Sequence, residues 1–527
     1  MTASPALPGL TVVLTSSVVF AVLCPPAWQP WVQFAVAALV ACVISVRHRG
    51  RPLLTRAPRR RRTAVDVVDL VAPDLSLVGC VEGDHVLTTA VEITAGALTY
   101  TDVGRDDPAD FHGTRLPLGV VARQLDQGGV LLEGVDVVVH GRRATSGPDG
   151  EVYGSLVGPL ALISHRRVHL LLRFDLAQLT RTPGVGSDTS FQQLVAVATE
   201  RLRRALVHHG VPSRVLDATA LAALYLEAET EPPDGVGLLV RPVSNPRQVV
   251  DALTAVRAST VTEVLRLRSV RGRGDVVDMV TSIGLTGTTA ESLHASAGAC
   301  HPLPSGRVLP VPGEALPGAL AGSLVRCRIE RLDLLSPPAH GAGQILGATR
   351  TGCASALQLA GPHLRSVLLA GRPPLCRQVV FRAVAAGYRV AVVTDVPVRW
   401  RPLLAIADDS RYRIVAPGAS DAGAPVDAVV WDVDGALSEG RIDAFAGPGG
   451  PDVLPPTVIR IETDWEAGGA HRTDAAARPD LILDGRVEGW LSVEPRDGDA
   501  HRVAVVAGPG EEKYLGAPRG DGAAQPA

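Results

Sequence analysis

The sequence predicts an N-terminal transmembrane helix hairpin followed by a cytoplasmic α/β (α+β) region that ends in a Rossmann-like parallel sheet. Two charge-free apolar runs, Leu7 to Cys24 and Trp31 to Val46, predict the hairpin. Short strands with tight turns and one long amphipathic helix predict the middle of the chain. Uninterrupted apolar strands alternating with a helix beyond residue 360 predict the parallel sheet, because parallel strands are covered on both faces.

Each apolar run is slightly short of the roughly 20 residues that cross a hydrocarbon core of about 30 Å, and neutral flanking residues complete the span. Between the runs lies Pro25-Pro26-Ala27-Trp28-Gln29-Pro30, where prolines stop a helix and Trp28 and Trp31 suit the headgroup level. The exit is basic: Arg47, Arg49, Arg51, Arg56, Arg59, Arg60, Arg61 and Arg62. Such a block resists translocation, which puts the N-terminus and the body on the cytoplasmic side of the cell membrane. The Arg47 to Arg62 segment is also expected to hold anionic lipid headgroups, at about 1 kcal/mol per residue. A cleaved signal peptide would need a basic start and a small-residue cleavage site, whereas Met1 to Pro8 has no basic residue and the run ends in Cys-Pro-Pro. A pair of buried soluble helices is the other alternative, and the adjoining arginine block argues against it.

The 527 residues exceed one typical domain, and 46% hydrophobic residues suffice for several cores. A net charge of -3 gives no reason to expect a nucleic-acid partner. Lys513 is the single lysine. The seven cysteines, Cys24, Cys42, Cys80, Cys300, Cys327, Cys353 and Cys376, form no Cys-x-x-Cys pair and read as reduced thiols.

The expected organisation is a hairpin with basic exit over 1–62, an α+β domain over 63–232, a β-rich segment over 233–359, a Rossmann-like domain over 360–507 and a disordered tail over 508–527. Ser76 to Ile93 reads as two strands joined at Gly83-Asp84. A helix near Leu116 to Leu125 and strands through Val135 to Val139 and Val168 to Phe174 follow. Leu194, Val197, Ala198, Leu202, Ala205 and Leu206 repeat at helical spacing, predicting a helix from about Ser190 to His208 that Gly210 ends. Asp217 is a cap for another short helix. Beyond the stretch Glu229 to Gly235 come strand Val236 to Arg241, helix Pro246 to Val256 and strands Thr260 to Ser269 and Asp275 to Ile283. In the last domain, Ser366 to Ala370, Arg389 to Thr394, Tyr412 to Ala416, Asp427 to Asp432 and Thr457 to Ile461 read as strands, with a helix over Cys376 to Ala386.

Chemistry is harder to find. Asp432 and Asp434 stand at i and i+2 after an apolar strand, the arrangement that haloacid-dehalogenase-type phosphatases use for nucleophile, acid/base and magnesium ligands. That mechanism also needs a downstream cation and a second acidic pair, and no lysine follows before Lys513. Gly341, Gly343 and Gly347 miss the dinucleotide spacing by one place and read as a loop. The turn Gly371-Arg372-Pro373-Pro374-Leu375 carries two prolines that cannot donate amides to a phosphate. A chain with one lysine at this position has no Gly-Lys-Ser/Thr of a P-loop. Arg266 and Arg268 share a strand face and can grip a phosphate or an acidic partner, but a solvated face explains them better. His208 and His209 fit the negative end of a helix without a metal. No residue is assigned a catalytic, cofactor-binding or metal-ligating role.

Several pieces, taken in order, resemble EccE, a membrane component of the actinobacterial type VII (ESX) secretion system. Gly154-Ser155-Leu156-Val157-Gly158-Pro159-Leu160 followed by Arg166 to Asp175 looks like that family's Gly-Pro-Leu turn and arginine-flanked apolar strand. Ala198-Thr199-Glu200-Arg201-Leu202, Gly210 and Leu216-Asp217-Ala218 match its next segment in order, and Arg382-Ala383 to Gly387, Val390 to Thr394 and Trp400 are similar to its strand-helix-strand region. The resemblance implies a non-enzymatic structural subunit beside EccB, EccC and EccD, with the ATPase work done by EccC. The alternative, from the Asp432 motif, is a membrane-anchored enzyme acting on a phosphate ester or nucleotide.

Overall fold

A computed structural model describes residues 47–48, 51–52, 67–83, 85–94, 100–103, 114–145, 147–158, 160, 162–180, 188–230, 236–241, 246–254, 256, 258–270, 272–287, 300–303, 324–361, 364–406, 411–419, 426–433, 445, 456–462 and 478–515. The chain separates into two compact units, Met1–Val65 and Asp66–Ala527. In the first, Arg47–His48 and Arg51–Pro52 pair as a short antiparallel ribbon. The apolar runs Leu7 to Cys24 and Trp31 to Val46 lie outside the described residues. Among the described residues no helix is long and apolar enough to cross a membrane.

The second unit is built on two large sheets. In the first, the strand order is Cys300–Pro302, Val236–Val240, Arg273–Thr286, Thr260–Val270, Gly134–Arg142, His165–Asp175, Val86–Ile93, Leu77–Glu82 and Val67–Val71, all antiparallel. Val325–Arg328 and Ser213–Val215 pair with it from the side. Thr260–Val270 pairs Gly134–Arg142 from Thr260↔Arg142 to Leu267↔Val135, so strands from either side of residue 232 share one sheet. Alternation along these strands sends Val135, Val137, Val139, Leu170 and Leu172 into one core. The Asp188–His208 helix covers that core with Val195, Ala198, Leu202 and Leu206. Its end needs a left-handed residue, and Gly210 supplies it with φ +75°, letting Val211 N–H reach back to the Leu206 carbonyl at 3.0 Å. The next helix, Ala218–Thr230, is capped as its sequence suggests: Asp217 Oδ1 accepts from Ala220 N–H at 2.7 Å.

The second sheet is mixed, in the order Tyr412–Val415, Val390–Thr394, Ala428–Asp432, Thr457–Glu462, Ser366–Gly371, Leu481–Gly485, Trp490–Pro495, His501–Ala504, Gln344–Ala348, Ala354–Leu357 and Tyr100–Val103. Its first six strands are parallel, and from Leu481–Gly485 onward the pairing is antiparallel. Central parallel strands are buried on both faces: Val390, Val392, Ala428 and Val430 face the Pro373–Ala386 helix side, while Ala391, Val393, Val429 and Trp431 face a second cluster with Phe445. The two sheets are joined by the Pro148–Val157 helix, whose Tyr153 hydroxyl accepts from Ile345 N–H at 3.0 Å. Thr145 N–H also donates to the Ala385 carbonyl at 2.9 Å.

This architecture overturns the expected fold class. The described residues are mostly β-sheet, in one antiparallel and one mixed sheet rather than a Rossmann-like domain, and none of their helices is able to span a membrane. A doubly wound sheet needs a helix after each parallel strand, covering both faces. Here the Pro373–Ala386 helix is, among the described residues, the one α-helix linking two of the parallel strands. The sheet then continues through antiparallel partners as far as Tyr100–Val103, from the first half of the chain. The apolar strands carried the parallel signal correctly, but nothing local announced that remote strands extend the same sheet.

Candidate functional site

The carboxyl ends of parallel strands are where open α/β sheets bind ligands, so the crevice at Asp432 comes first. Thr394 and Asp432 end neighbouring strands in register. Asp432 is 6% exposed. Its Oδ2 accepts from Thr394 Oγ1 at 2.9 Å and from Trp400 Nε1 at 2.6 Å, and its Oδ1 accepts from Arg399 at 2.6 Å. Trp400 is fully buried, brought there by two consecutive 3-10 turns, Pro397–Arg399 and Arg401–Ala405. A nucleophilic carboxylate must offer a free lone pair to phosphorus. Here both oxygens accept from the chain itself, with the Trp400 indole and the Arg399 guanidinium lying against them. Asp434, the second member of the motif, lies outside the described residues.

Cys376 lies beside this cluster, in the first turn of the Pro373–Ala386 helix, with Sγ 3.7 Å from the Gly371 carbonyl. Burial, then the nearby Asp432 charge, pushes its thiol up to about 12. It is therefore a neutral packing group, since the thiolate is the reactive form. The helix begins with Pro373 and Pro374, and its N-cap Arg372 makes no side-chain cap bond. Two prolines at the first turn leave few amides for an anion, as the sequence implies.

The glycines of 341–347 serve close packing. Only the first part is a loop, because Gln344–Ala348 is a strand. Gly343 has φ +86°, and a Cβ there would collide with the backbone of Leu357 and Gln358. A Cβ on Gly341 would meet Arg166 N at 2.9 Å. These glycines bring backbone against backbone rather than against a phosphate.

Arg266 and Arg268 do share a face, but Arg266 is buried rather than solvated. It makes a two-pronged bond to Asp136, with Nε on Oδ1 and NH2 on Oδ2 at 2.6 Å. Burial alone would lower the Arg266 pKa, and the Asp136 carboxylate more than offsets it, raising it above the ordinary value. Arg268 reaches Glu133 at 2.9 Å, and Glu133 also accepts from buried Arg173 at 3.3 Å. A second cluster centres on Glu92, with Arg214 at 2.7 Å and Arg167 and His169 at 3.7 Å. Burial would raise the Glu92 pKa, but His169, Arg167 and Arg214 outweigh it and hold the carboxyl well below the usual range. These ion pairs knit neighbouring strands together, and sequence reasoning missed them because their partners lie as far as 135 residues apart.

His209 Nδ1 sits 2.8 Å from the Ala205 carbonyl at the helix end, with His208 edge-on to it. Among the described residues no group of three or more His, Cys, Asp or Glu side chains is placed to hold a metal ion.

Residues 162–262 match the family model of EccE, described as a putative type VII ESX secretion system translocon. That span holds the His165–Asp175 strand, the Asp188–His208 helix and the first residues of Thr260–Val270. The span thus supplies the inner strand His165–Asp175 and the helix that covers the core of the first sheet, and the pieces Gly154 to Leu160 and Arg382 to Trp400 lie beyond it. No curated protein matches the chain. The match associates the chain with a component of a type VII secretion system.

Proposed function

We propose that this chain is a structural subunit of a type VII (ESX) secretion membrane complex, without catalytic activity of its own. The match of residues 162–262 to the EccE family is the observation that carries this reading. The filled crevice at Asp432 supports it, because both carboxylate oxygens are committed to Thr394, Trp400 and Arg399. The partners are other components of the same system, EccB, EccC and EccD, with energy supplied by a partner rather than by this chain. The basic Arg47 to Arg62 segment adds contact with anionic lipid headgroups at a membrane surface.

The matched segment offers exposed apolar side chains for such contacts: Val207 is 47% and Leu226 is 63% exposed. Single exposed apolar residues are common on any surface, so they serve as probe positions rather than as a defined interface. Affinity purification of the full chain from native membranes, followed by mass spectrometry, tests the reading. Recovery with several membrane proteins of one secretion system is expected. Recovery alone, with phosphate-ester hydrolysis that Asp432→Asn abolishes, would instead favour the enzyme reading.

A further inference from the structure

The stretch Val505 to Leu515 crosses the Pro373–Ala386 helix and is bolted to it at successive points. The Val506 carbonyl accepts from Gln378 Nε2 at 3.2 Å and also from Arg382. The Glu511 carboxylate, fully buried, accepts from Arg382 Nε at 2.8 Å, Gln378 Nε2 at 2.9 Å and Gly508 N–H at 2.8 Å. Tyr514 is fully buried and stacks on Phe381 with ring centroids 4.4 Å apart. The residues between these anchors, Pro509, Gly510, Glu512 and Lys513, are exposed. This is the pattern of a strap held by a few deep contacts rather than of an element with its own core.

The strap also reaches the crevice. Arg377 donates Nε to the Leu515 carbonyl at 2.6 Å and NH1 to the Arg399 carbonyl at 2.9 Å. Arg399 in turn pairs with Asp432 at 2.6 Å. One side chain therefore ties the end of the strap to the turn that places Arg399 and Trp400 over the carboxyl ends of the parallel strands. We propose that Val505 to Leu515 is a closing strap: seated, it holds the 397–405 turns down on Asp432; released, it lets them lift and opens the crevice.

Cys376 is the native reporter, because it is buried near Asp432 and Arg399 and its thiol bonds to the Gly371 carbonyl rather than to the strap. The test is alkylation of the full-length chain by N-ethylmaleimide, read cysteine by cysteine by mass spectrometry. Hydrogen exchange of the Val390–Thr394 strand monitors whether the sheet stays folded. In the wild-type chain, half-buried Cys327 and Cys353 react and Cys376 is protected. In Tyr514→Ala and in the milder Glu511→Gln, Cys376 is expected to react at least tenfold faster while the strand keeps its protection. The proposal is overturned if Cys376 keeps its wild-type rate in both variants. It is equally overturned if strand protection is lost in step with Cys376 protection, since that means global unfolding and no separate strap.

Discussion

Arg382 and Glu511, 129 residues apart, form an ion pair with Nε and Oε1 at 2.8 Å and side-chain exposures of 2% and 0%. Arg382 also donates to the Ile345 and Leu346 carbonyls at 3.2 Å, so one guanidinium joins a helix, a strand and the end of the chain. Removing one member of a buried pair leaves an uncompensated charge and typically costs about 3–5 kcal/mol. Arg382→Met is therefore expected to lower stability by that amount in chemical denaturation. The double variant Arg382→Met with Glu511→Leu is expected to recover part of the loss, and strictly additive losses would refute the coupling.

The buried carboxylates make the fold acid-sensitive. Glu92 and Glu511 are both held below the ordinary glutamate value of 4.5. For Glu511, burial opposes this, and Arg382, Gly508 and Gln378 outweigh it. A carboxyl with a depressed folded pKa contributes stability above its unfolded value and loses it as pH falls, because the unfolded chain then binds more protons. The melting temperature is thus expected to fall as pH drops below about 4.5. Glu92→Gln should flatten that decline, and an unchanged slope would show that the Glu92 cluster does not contribute.

Gly343→Ala separates a packing glycine from a ligand-binding one. The left-handed backbone and the approach to Leu357 leave no room for a methyl group. The substitution is expected to cost more than about 1 kcal/mol, seen as a lower melting temperature. Gly128→Ala, at φ +68° with nothing within 4 Å of the added carbon, isolates the backbone part and should cost less. Equal losses would contradict the packing account.

Asp432→Asn tests the crevice. The amide can still accept through its oxygen, but the charge that holds Arg399 is gone. The expected outcome is a loss of stability of about 1–3 kcal/mol with no change in any hydrolysis of a generic aryl phosphate. Activity present in the wild type and absent in the variant would overturn the structural reading of this aspartate.

Much of the local structure was legible in the sequence, and for physical reasons. The paired strands Leu77–Glu82 and Val86–Ile93, the Asp188–His208 helix with Gly210 behind it and the Asp217 cap follow from turn chemistry and periodicity. What failed was long-range. Tyr100–Val103 and Ala354–Leu357 are short, ordinary strands, and nothing in either announces that they extend a sheet begun by Ser366–Gly371. The strands from Leu481–Gly485 to His501–Ala504 passed unnoticed for the same reason. At the crevice, the Asp432 motif was visible, but Arg399 and Trp400 come from turns with no regular pattern, so the hydrogen bonds they make to it were not. Glu511 and Tyr514 stand among glycine and charge, and the partners that bury them include a helix more than 120 residues earlier.

Site-specific photo-crosslinking in native membranes tests the central claim most directly. With Lys513 as the single lysine, amine-reactive reagents have little to hold, so a benzophenone side chain placed at Val207 and at Leu226 is the better probe. A subunit of a type VII secretion complex is expected to give discrete adducts with other membrane components of that system at one or both positions. Full-length chain that is folded and membrane-bound yet gives no protein adduct at either position, and elutes as a lone protein after solubilisation, would contradict the account.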